Sequence, residues 1–142
     1  MISIIKLRRA SKSAVRSINA LIRQLSASAS PVSLVWLKKL LRDKKVHLLV
    51  LMNSRQIIGM GTVVIFDTLL GRRGRIEDVV VHERYRGRGL GEKLVRKLIA
   101  IAKKAKVQQV QLTSRPERRV ANALYQKLGF KHYKTNVYKL KL

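Results

Sequence analysis

Few residues in this chain have side chains suited to chemistry, and they fall in two stretches. The first holds two adjacent carboxylates, Glu77 and Asp78, in a sequence with only 7 Asp or Glu. They sit in Ile76-Glu77-Asp78-Val79-Val80-Val81, a β-branched run that reads as a strand. Five positions on comes Arg86-Gly87-Arg88-Gly89-Leu90-Gly91, and from Leu90 the apolar residues Leu94, Val95, Leu98, Ile99 and Ala102 recur at helical spacing. Strand, glycine-rich corner and helix start together suit an anion. Glycine lets the backbone turn tightly and approach a ligand, and the unpaired N–H groups and positive dipole end of a helix face it. Phosphate is the expected ligand of residues 86–91.

Several familiar phosphate chemistries do not fit. The dinucleotide fingerprint spaces its glycines as Gly-x-Gly-x-x-Gly, whereas this corner reads Gly87-x-Gly89-x-Gly91, and the lysine and hydroxyl of a Walker loop are missing. The chain has no cysteine, which excludes disulfides, thiolate metal sites and a cysteine nucleophile. His47, His82 and His132 are scattered with no carboxylate cluster to join them, so no metal is expected.

The second stretch is Ala121-Asn122-Ala123-Leu124-Tyr125-Gln126-Lys127-Leu128-Gly129-Phe130, with Tyr125 lying 34 residues beyond Gly91. Arg118, Asn122 and Tyr125 are four and three apart and share one helix face, and Ala121, Leu124 and Leu128 form the adjoining apolar face. Arg86-x-x-Gly89-x-Gly91 after an apolar strand, followed by Leu-Tyr-x-Lys-x-Gly-Phe, resembles the GNAT family of acetyl-CoA-dependent N-acetyltransferases. The motifs cover about 60 residues and the element order nearly the whole chain.

The resemblance implies acetyl transfer from acetyl-CoA to a primary amine by direct attack with both substrates bound. The backbone of Val79, Val80 and Val81 would pair with the pantetheine arm and polarise the thioester carbonyl. Amides of Arg86, Gly87, Arg88, Gly89, Leu90 and Gly91 would hold the pyrophosphate, and Tyr125 would be the general acid toward the departing thiolate. Many members carry asparagine where this chain has Arg118. Here Asn122 would take over the amide contact and Arg118 would reach a phosphate. An attacking amine must be neutral and so needs a base. Glu77 is the expected base and Asp78 a substrate contact, because strand alternation sends the two to opposite faces. The strand from Ile76 to Tyr85 is also similar to that of glucosamine-6-phosphate N-acetyltransferases, which makes an amino sugar phosphate an alternative acceptor. Ser114-Arg115-Pro116-Glu117-Arg118-Arg119 departs from that branch.

Positioning these residues requires a mixed α/β fold. Strands are expected at 2–7, 46–52, 57–66, 76–82 and 107–113, with one or two more in 130–142. Helices are expected after a Ser11 or Ser13 cap, through Val35 to Leu41, from Leu90, and from about Pro116 to a stop at Gly129, and Leu69 to Arg75 reads as a loop. Consecutive early strands imply antiparallel pairing, and the strand, helix, strand unit from 76 to 113 implies a parallel crossover. The expectation is one N-acetyltransferase domain over 1–142, with a mostly antiparallel sheet flanked by helices and a splayed parallel pair at the fourth and fifth strands.

Composition adds a partner and a compartment. With Lys plus Arg 32 against 7 acids, the formal charge is +25, a surface that attracts polyanions. The first 46 residues carry eleven of the basic groups and one acid, Asp43. A GNAT-fold protein docking on RNA, ribosome or DNA is therefore the rival to the enzyme. No signal peptide or membrane span is visible, so a cytoplasmic location is expected. An apolar end such as Asn136 to Leu142 would suit strand pairing across a homodimer.

Overall fold

The computed structural model describes residues 1–142. In chain order the elements are β1 (Ile2–Lys6), α1 (Lys12–Leu25), α2 (Leu34–Arg42), β2 (Val46–Asn53), β3 (Gln56–Thr68), β4 (Gly71–Val81), a 3-10 turn at Glu83–Tyr85, α3 (Leu90–Lys104), β5 (Gln109–Gln111) and α4 (Arg119–Lys127). The five strands form one sheet in the order β1-β2-β3-β4-β5. The first three pairings are antiparallel and β4 with β5 is parallel. No helix is long and apolar enough to cross a membrane.

Both faces of the sheet are covered, which is why β2 reads as a continuous apolar run rather than an alternating one. Leu49 and Leu51 point to the face that packs α3 through Leu90, Leu94, Val95 and Leu98. Leu48 and Val50 point to the other, against Ala14, Ile18 and Leu21 of α1 and Leu37 of α2. Leu21, Leu37, Leu51, Leu94 and Leu98 are fully buried. Each contributes on the order of 2 kcal/mol relative to exposure. The helix starts are fixed by serines: Ser11 Oγ accepts from Ala14 N–H and Ser33 Oγ from Trp36 N–H, each at 3.0 Å.

The sequence reading needs correction in three places. Leu69 to Arg75 is not a loop, because β4 starts at Gly71 and pairs Arg72 with Asp67, Arg73 with Phe66 and Arg75 with Val64. The arginines hide the strand because this end of β4 has a solvent-facing side, where charge replaces apolar alternation. Residues 130–142 form no strand, and no backbone hydrogen bond involves residues 131–142. The fifth strand shrinks to Gln109–Gln111 and α4 begins at Arg119, after a turn in which Arg118 N–H donates to Arg115 O at 3.1 Å.

Two features of β4 shape what lies beside it. Thr62 is in register with Glu77 and Met60 with Val80, so two residues, Asp78 and Val79, face the single Gly61. This is a bulge, and Asp78 takes the left-handed conformation that opens it, at φ 55°. Aspartate tolerates that region better than most residues. The second feature is the short parallel register, which joins only Arg73–Arg75 of β4 to Gln109–Gln111 of β5. From Ile76 onward the two strands part.

Candidate active site

The parting of β4 and β5 leaves one edge of β4 open, and the bulge sets which residues address it. Val80 is in register with Met60 and His82 N–H donates to Ile58 O at 2.8 Å, so these two residues turn their backbones toward β3. Val79 and Val81 therefore turn theirs into the gap. Their carbonyls are met there by arginines: Arg118 Nη2 lies 3.5 Å from Val79 O, and Arg86 Nε donates to Val81 O at 2.8 Å. Val80 is not brought to the gap. Its side chain is buried with Met60 and Leu21 in the α1/α2 core.

Beyond β4 the chain makes the 3-10 turn and enters the glycine corner. Gly87 and Gly89 hold φ 78° and 74°, and a Cβ on either would meet no protein atom within 4 Å. These glycines are required by backbone shape, not by packing. Gly89 is the N-cap of α3 and supplies no side-chain cap. No protein group accepts the N–H of Gly87, Arg88, Gly89, Leu90, Gly91 or Glu92. Six consecutive donors at a helix N-terminus form a cradle for an anion such as a pyrophosphate. Arg88 stands over the Tyr85 ring at 5.3 Å, and Tyr85 Oη accepts from Asn53 Nδ2 at 2.9 Å. Sequence reasoning missed Gln24 at the end of α1. Its Oε1 accepts from Glu83 N–H at 3.0 Å and lies 3.5 Å from Arg86 Nη2, tying α1 to the corner. A polar residue on an exposed helix face gives no sign of a partner 59 positions away.

Tyr125 closes the other side. Gly129, at φ 97°, ends α4: Phe130 N–H donates to Tyr125 O and Gly129 N–H to Gln126 O, both at 3.0 Å. This pair of bonds fixes the last turn and the tyrosine in it. The ring is 6% exposed and packs edge-on against Phe130 at 5.9 Å. Its hydroxyl has no hydrogen-bond partner in the protein, yet it is not sealed from solvent. Burial raises the phenol above its ordinary value, and the Arg118 guanidinium opposes that shift. Asn122 is engaged locally, with Nδ2 donating to Arg115 O at 2.9 Å to fasten the turn before α4. Leu25, Thr113, Ser114, Arg115 and Arg118 line a cleft of about 270 Å³. Ser114 Oγ is the one buried side-chain polar atom without a partner.

The two carboxylates differ in state. Glu77 is paired with the Arg75 guanidinium beside it. Asp78 has no such partner, and desolvation, followed by the charge of Glu77, raises its carboxyl above the ordinary 3.8. Asp78 lies at the surface with one side in water, so the effect is modest in energy. The bulge also breaks the alternation expected to separate the pair.

The Acetyltransferase (GNAT) family model matches residues 13–130. The chain belongs to the GNAT acetyltransferase family. Members of this family use acetyl-CoA. Among solved structures, an acetyltransferase from Trypanosoma brucei is 27% identical, with all of both chains covered and a TM-score of 0.82. Glucosamine-6-phosphate N-acetyltransferase from Arabidopsis thaliana is 26% identical over 99% of this chain and 98% of that one, with a TM-score of 0.78. A probable glucosamine 6-phosphate N-acetyltransferase of Oryza sativa subsp. japonica is 50% identical over 60 residues, which are 42% of this chain and 34% of that protein. The match thus spans about a third of the length of the curated relatives. The mixed sheet with its splayed parallel pair is the GNAT fold.

Proposed function

We propose that this GNAT protein transfers acetyl from acetyl-CoA to a primary amine by direct attack, both substrates being bound in the gap between β4 and β5. The observation that carries the reading is the continuity of the open β4 edge with six unpaired amides on one side and an unpartnered tyrosine hydroxyl on the other. Acetyl-CoA supplies an acyl group already activated as a thioester. Amides 87–92 and the dipole of α3 hold its phosphates. The N–H groups of Val79 and Val81 pair with its amide arm, and that of Val79 polarises the acyl carbonyl. Arg118 and Arg86, which now lie on the carbonyls of Val79 and Val81, yield those oxygens as the arm enters, and Arg86 turns toward the phosphates of the cofactor. Tyr125 protonates the leaving sulfur. Acetyl-CoA at 100 times its Kd would stabilise the fold by about 2.7 kcal/mol. No thermal shift with acetyl-CoA, and no CoA release with a panel of amines, would sink this reading.

We assign the base to Asp78 in place of Glu77. A carboxylate held by a guanidinium has its lone pairs engaged, whereas the raised carboxyl of Asp78 has the higher proton affinity. The sign of its stability effect follows. A raised folded-state value means that the neutral form is favoured, so the stabilisation is complete below about pH 3.8 and is lost as pH rises through the folded value. At pH 7 the ionised carboxylate is a net cost, and asparagine removes it while tolerating φ 55°. Asp78→Asn should therefore melt roughly 1–2 °C higher at pH 7 while losing about 10²-fold or more in kcat/KM. The acidic limb of its pH profile should vanish, and Glu77→Gln should keep that limb. The reverse pattern would return the role to Glu77.

For the acceptor we propose an amino sugar phosphate. The rice and Arabidopsis relatives are named for such a substrate, and Arg115 and Arg118 flank the 270 Å³ cleft as ligands for a phosphate. Glucosamine 6-phosphate should then be acetylated with a KM at least tenfold below that of glucosamine. Equal values would remove the phosphate from recognition.

A second reading is favoured by the charge. Ion pairs engage only Arg72, Arg75, Arg96 and Lys127 of 32 basic residues. The remaining field would dock on a polyanion such as RNA, with the acceptor amine carried on that partner. Binding to a duplex RNA oligomer should then weaken about 10³-fold or more between 50 and 200 mM salt. Undetectable or salt-insensitive binding rejects it.

A further inference from the structure

A second cavity, of about 240 Å³, opens at the far end of α3 from the glycine corner. The 15 residues of that helix separate the two by about 22 Å. Lys44, Lys45 and His47 line the cavity from the start of β2, and Asp67 and Arg72 from the hairpin between β3 and β4. Arg72 and Asp67 are occupied with each other. Arg72 Nε donates to Asp67 Oδ1 at 2.8 Å and Nη2 to Oδ2 at 3.2 Å, while Nη1 donates to Ala105 O, at the end of α3, at 3.2 Å. The single carboxylate of the cavity is therefore used up in bracing its wall.

The other charges have no counterion. The side chains of Lys44 and Lys45 enter no hydrogen bond or ion pair with the protein. Lys6 Nζ lies 3.0 Å from His47 Nδ1. An ammonium can only donate, so Nδ1 accepts and the neutral ring carries its proton on Nε2. Burial, and after it the charge of Lys6, holds His47 below the ordinary 6.5. Two groups that both become cations when protonated thus meet with no acid between them. We propose that this cavity binds a small phosphate ester. Ammonium groups are point charges that suit a tetrahedral phosphate with several acceptor oxygens, and the one guanidinium fork, which would suit a planar carboxylate, is already engaged. Ile65, Phe66 and Ala105 supply an apolar side for the carbon part of the ester. The cavity is smaller than the roughly 300–1,000 Å³ of pockets that take drug-sized ligands, so the ester is small.

The test follows the ring protons of His47 by NMR in the full chain, at constant ionic strength, as glycerol 3-phosphate or sulfate is added. The His47 signals are those missing from His47→Gln. A saturable shift is expected, and it should persist in Gly91→Asp, because the amides of 87–92 are a different site. Lys44→Gln with Lys45→Gln, at two exposed positions, should weaken binding about tenfold or more without lowering the melting temperature. Sulfate keeps its charge between pH 6 and 8, as do lysine, arginine and aspartate side chains such as Lys6, Lys44, Lys45, Asp67 and Arg72 around the ring. A bound dianion favours the protonated imidazole, so sulfate should bind about threefold or more tighter at pH 6 than at pH 8, and His47→Gln should lose that dependence in calorimetry. A 5′-phosphorylated RNA oligomer that moves His47 where its 5′-hydroxyl counterpart does not would make a polymer end the source of the ester. Movement by glycerol 3-phosphate alone would make it a free metabolite. A ring that does not respond overturns the proposal. So does a response kept in full when both lysines are neutral, or acetate binding as tightly as sulfate. None of these readouts depends on catalysis.

Discussion

Tyr125→Phe should lower kcat about 100-fold, the low end of what loss of a general acid removes, while acetyl-CoA affinity and the melting temperature hardly move. The ring is what packs: it is buried in the α3-side core and meets Phe130 edge-on, and phenylalanine keeps both contacts. The hydroxyl that is lost has no protein partner, so its removal orphans no buried donor or acceptor. On the proposed function, its work is confined to the reaction. Burial raises the phenol and makes it a poorer acid, and the nearby Arg118 guanidinium acts in the other direction. Arg118 thus opposes the burial shift of the proposed proton donor as well as meeting Val79 O. The protonated form persists past pH 10, so turnover should not fall on the alkaline side until beyond that point. Kinetics at saturating acceptor, with acetyl-CoA Kd measured separately by calorimetry, check the split. Equal loss of affinity and turnover would make Tyr125 only a wall of the site.

Gly91→Asp should abolish acetyl-CoA binding, with a loss of about 100-fold or more in Kd, and leave the fold as stable as before or slightly more so. An added Cβ at Gly91 would lie 3.6 Å from Leu124 Cδ2 and 3.8 Å from Val81 Cγ2, ordinary contact distances. The position is in the first turn of α3 and has no left-handed φ, so the backbone accepts the residue. A carboxylate there interacts favourably with the helix dipole, by roughly 0.3–1 kcal/mol. The same charge sits among the six amides proposed to receive phosphate and repels it. Stability and binding are driven in opposite directions by one substitution, which separates this from general damage. Thermal melting with and without acetyl-CoA checks it: the unliganded protein should melt at or above the parent temperature, and the ligand shift should disappear. A full ligand shift in the variant would remove this corner from cofactor binding.

The parts of the fold that were legible in the sequence are those where pattern and chemistry agree locally. A serine at 11 or 13, Gly129 after Leu128 and the apolar stripe from Leu90 to Ala102 each announce an element, and the structure makes Ser11 the cap, Gly129 the stop and the stripe the buried face of α3. The glycine corner could also be read, because φ near 75° at Gly87 and Gly89 is a demand that a side chain would resist. Arg72, Arg73 and Arg75 misled because their side chains lie toward solvent at this end of β4, so charge stands where apolar alternation would be read. Phe130 to Leu142 misled in the other direction. Its alternation is real, but a strand needs a neighbour, and residues 131–142 make no backbone hydrogen bond with the sheet. Gln24 and the Arg75 to Glu77 pairing come from tertiary approach and local side-chain choice, which no periodicity encodes.

The bulge at Asp78 has a consequence for how this chain can vary in length. Ile76 lies in the α3-side core, and so do Val79 and Val81, an odd step that a regular strand cannot make. Put one residue in between Glu77 and Val79, with the bulge still holding only two, and every side chain downstream swaps layers: Val80 would meet α3, and Val79 and Val81 would turn their backbones toward β3. The open edge would then be written in the wrong residues, with the glycine corner rotated away from it. Insertions at Leu69 and Leu70, at the hairpin tip, have no such effect, since nothing beyond the turn depends on their number. The segment from Glu77 to Val81 is therefore the place where the count of residues, more than their identity, decides which backbone groups line the open edge of β4.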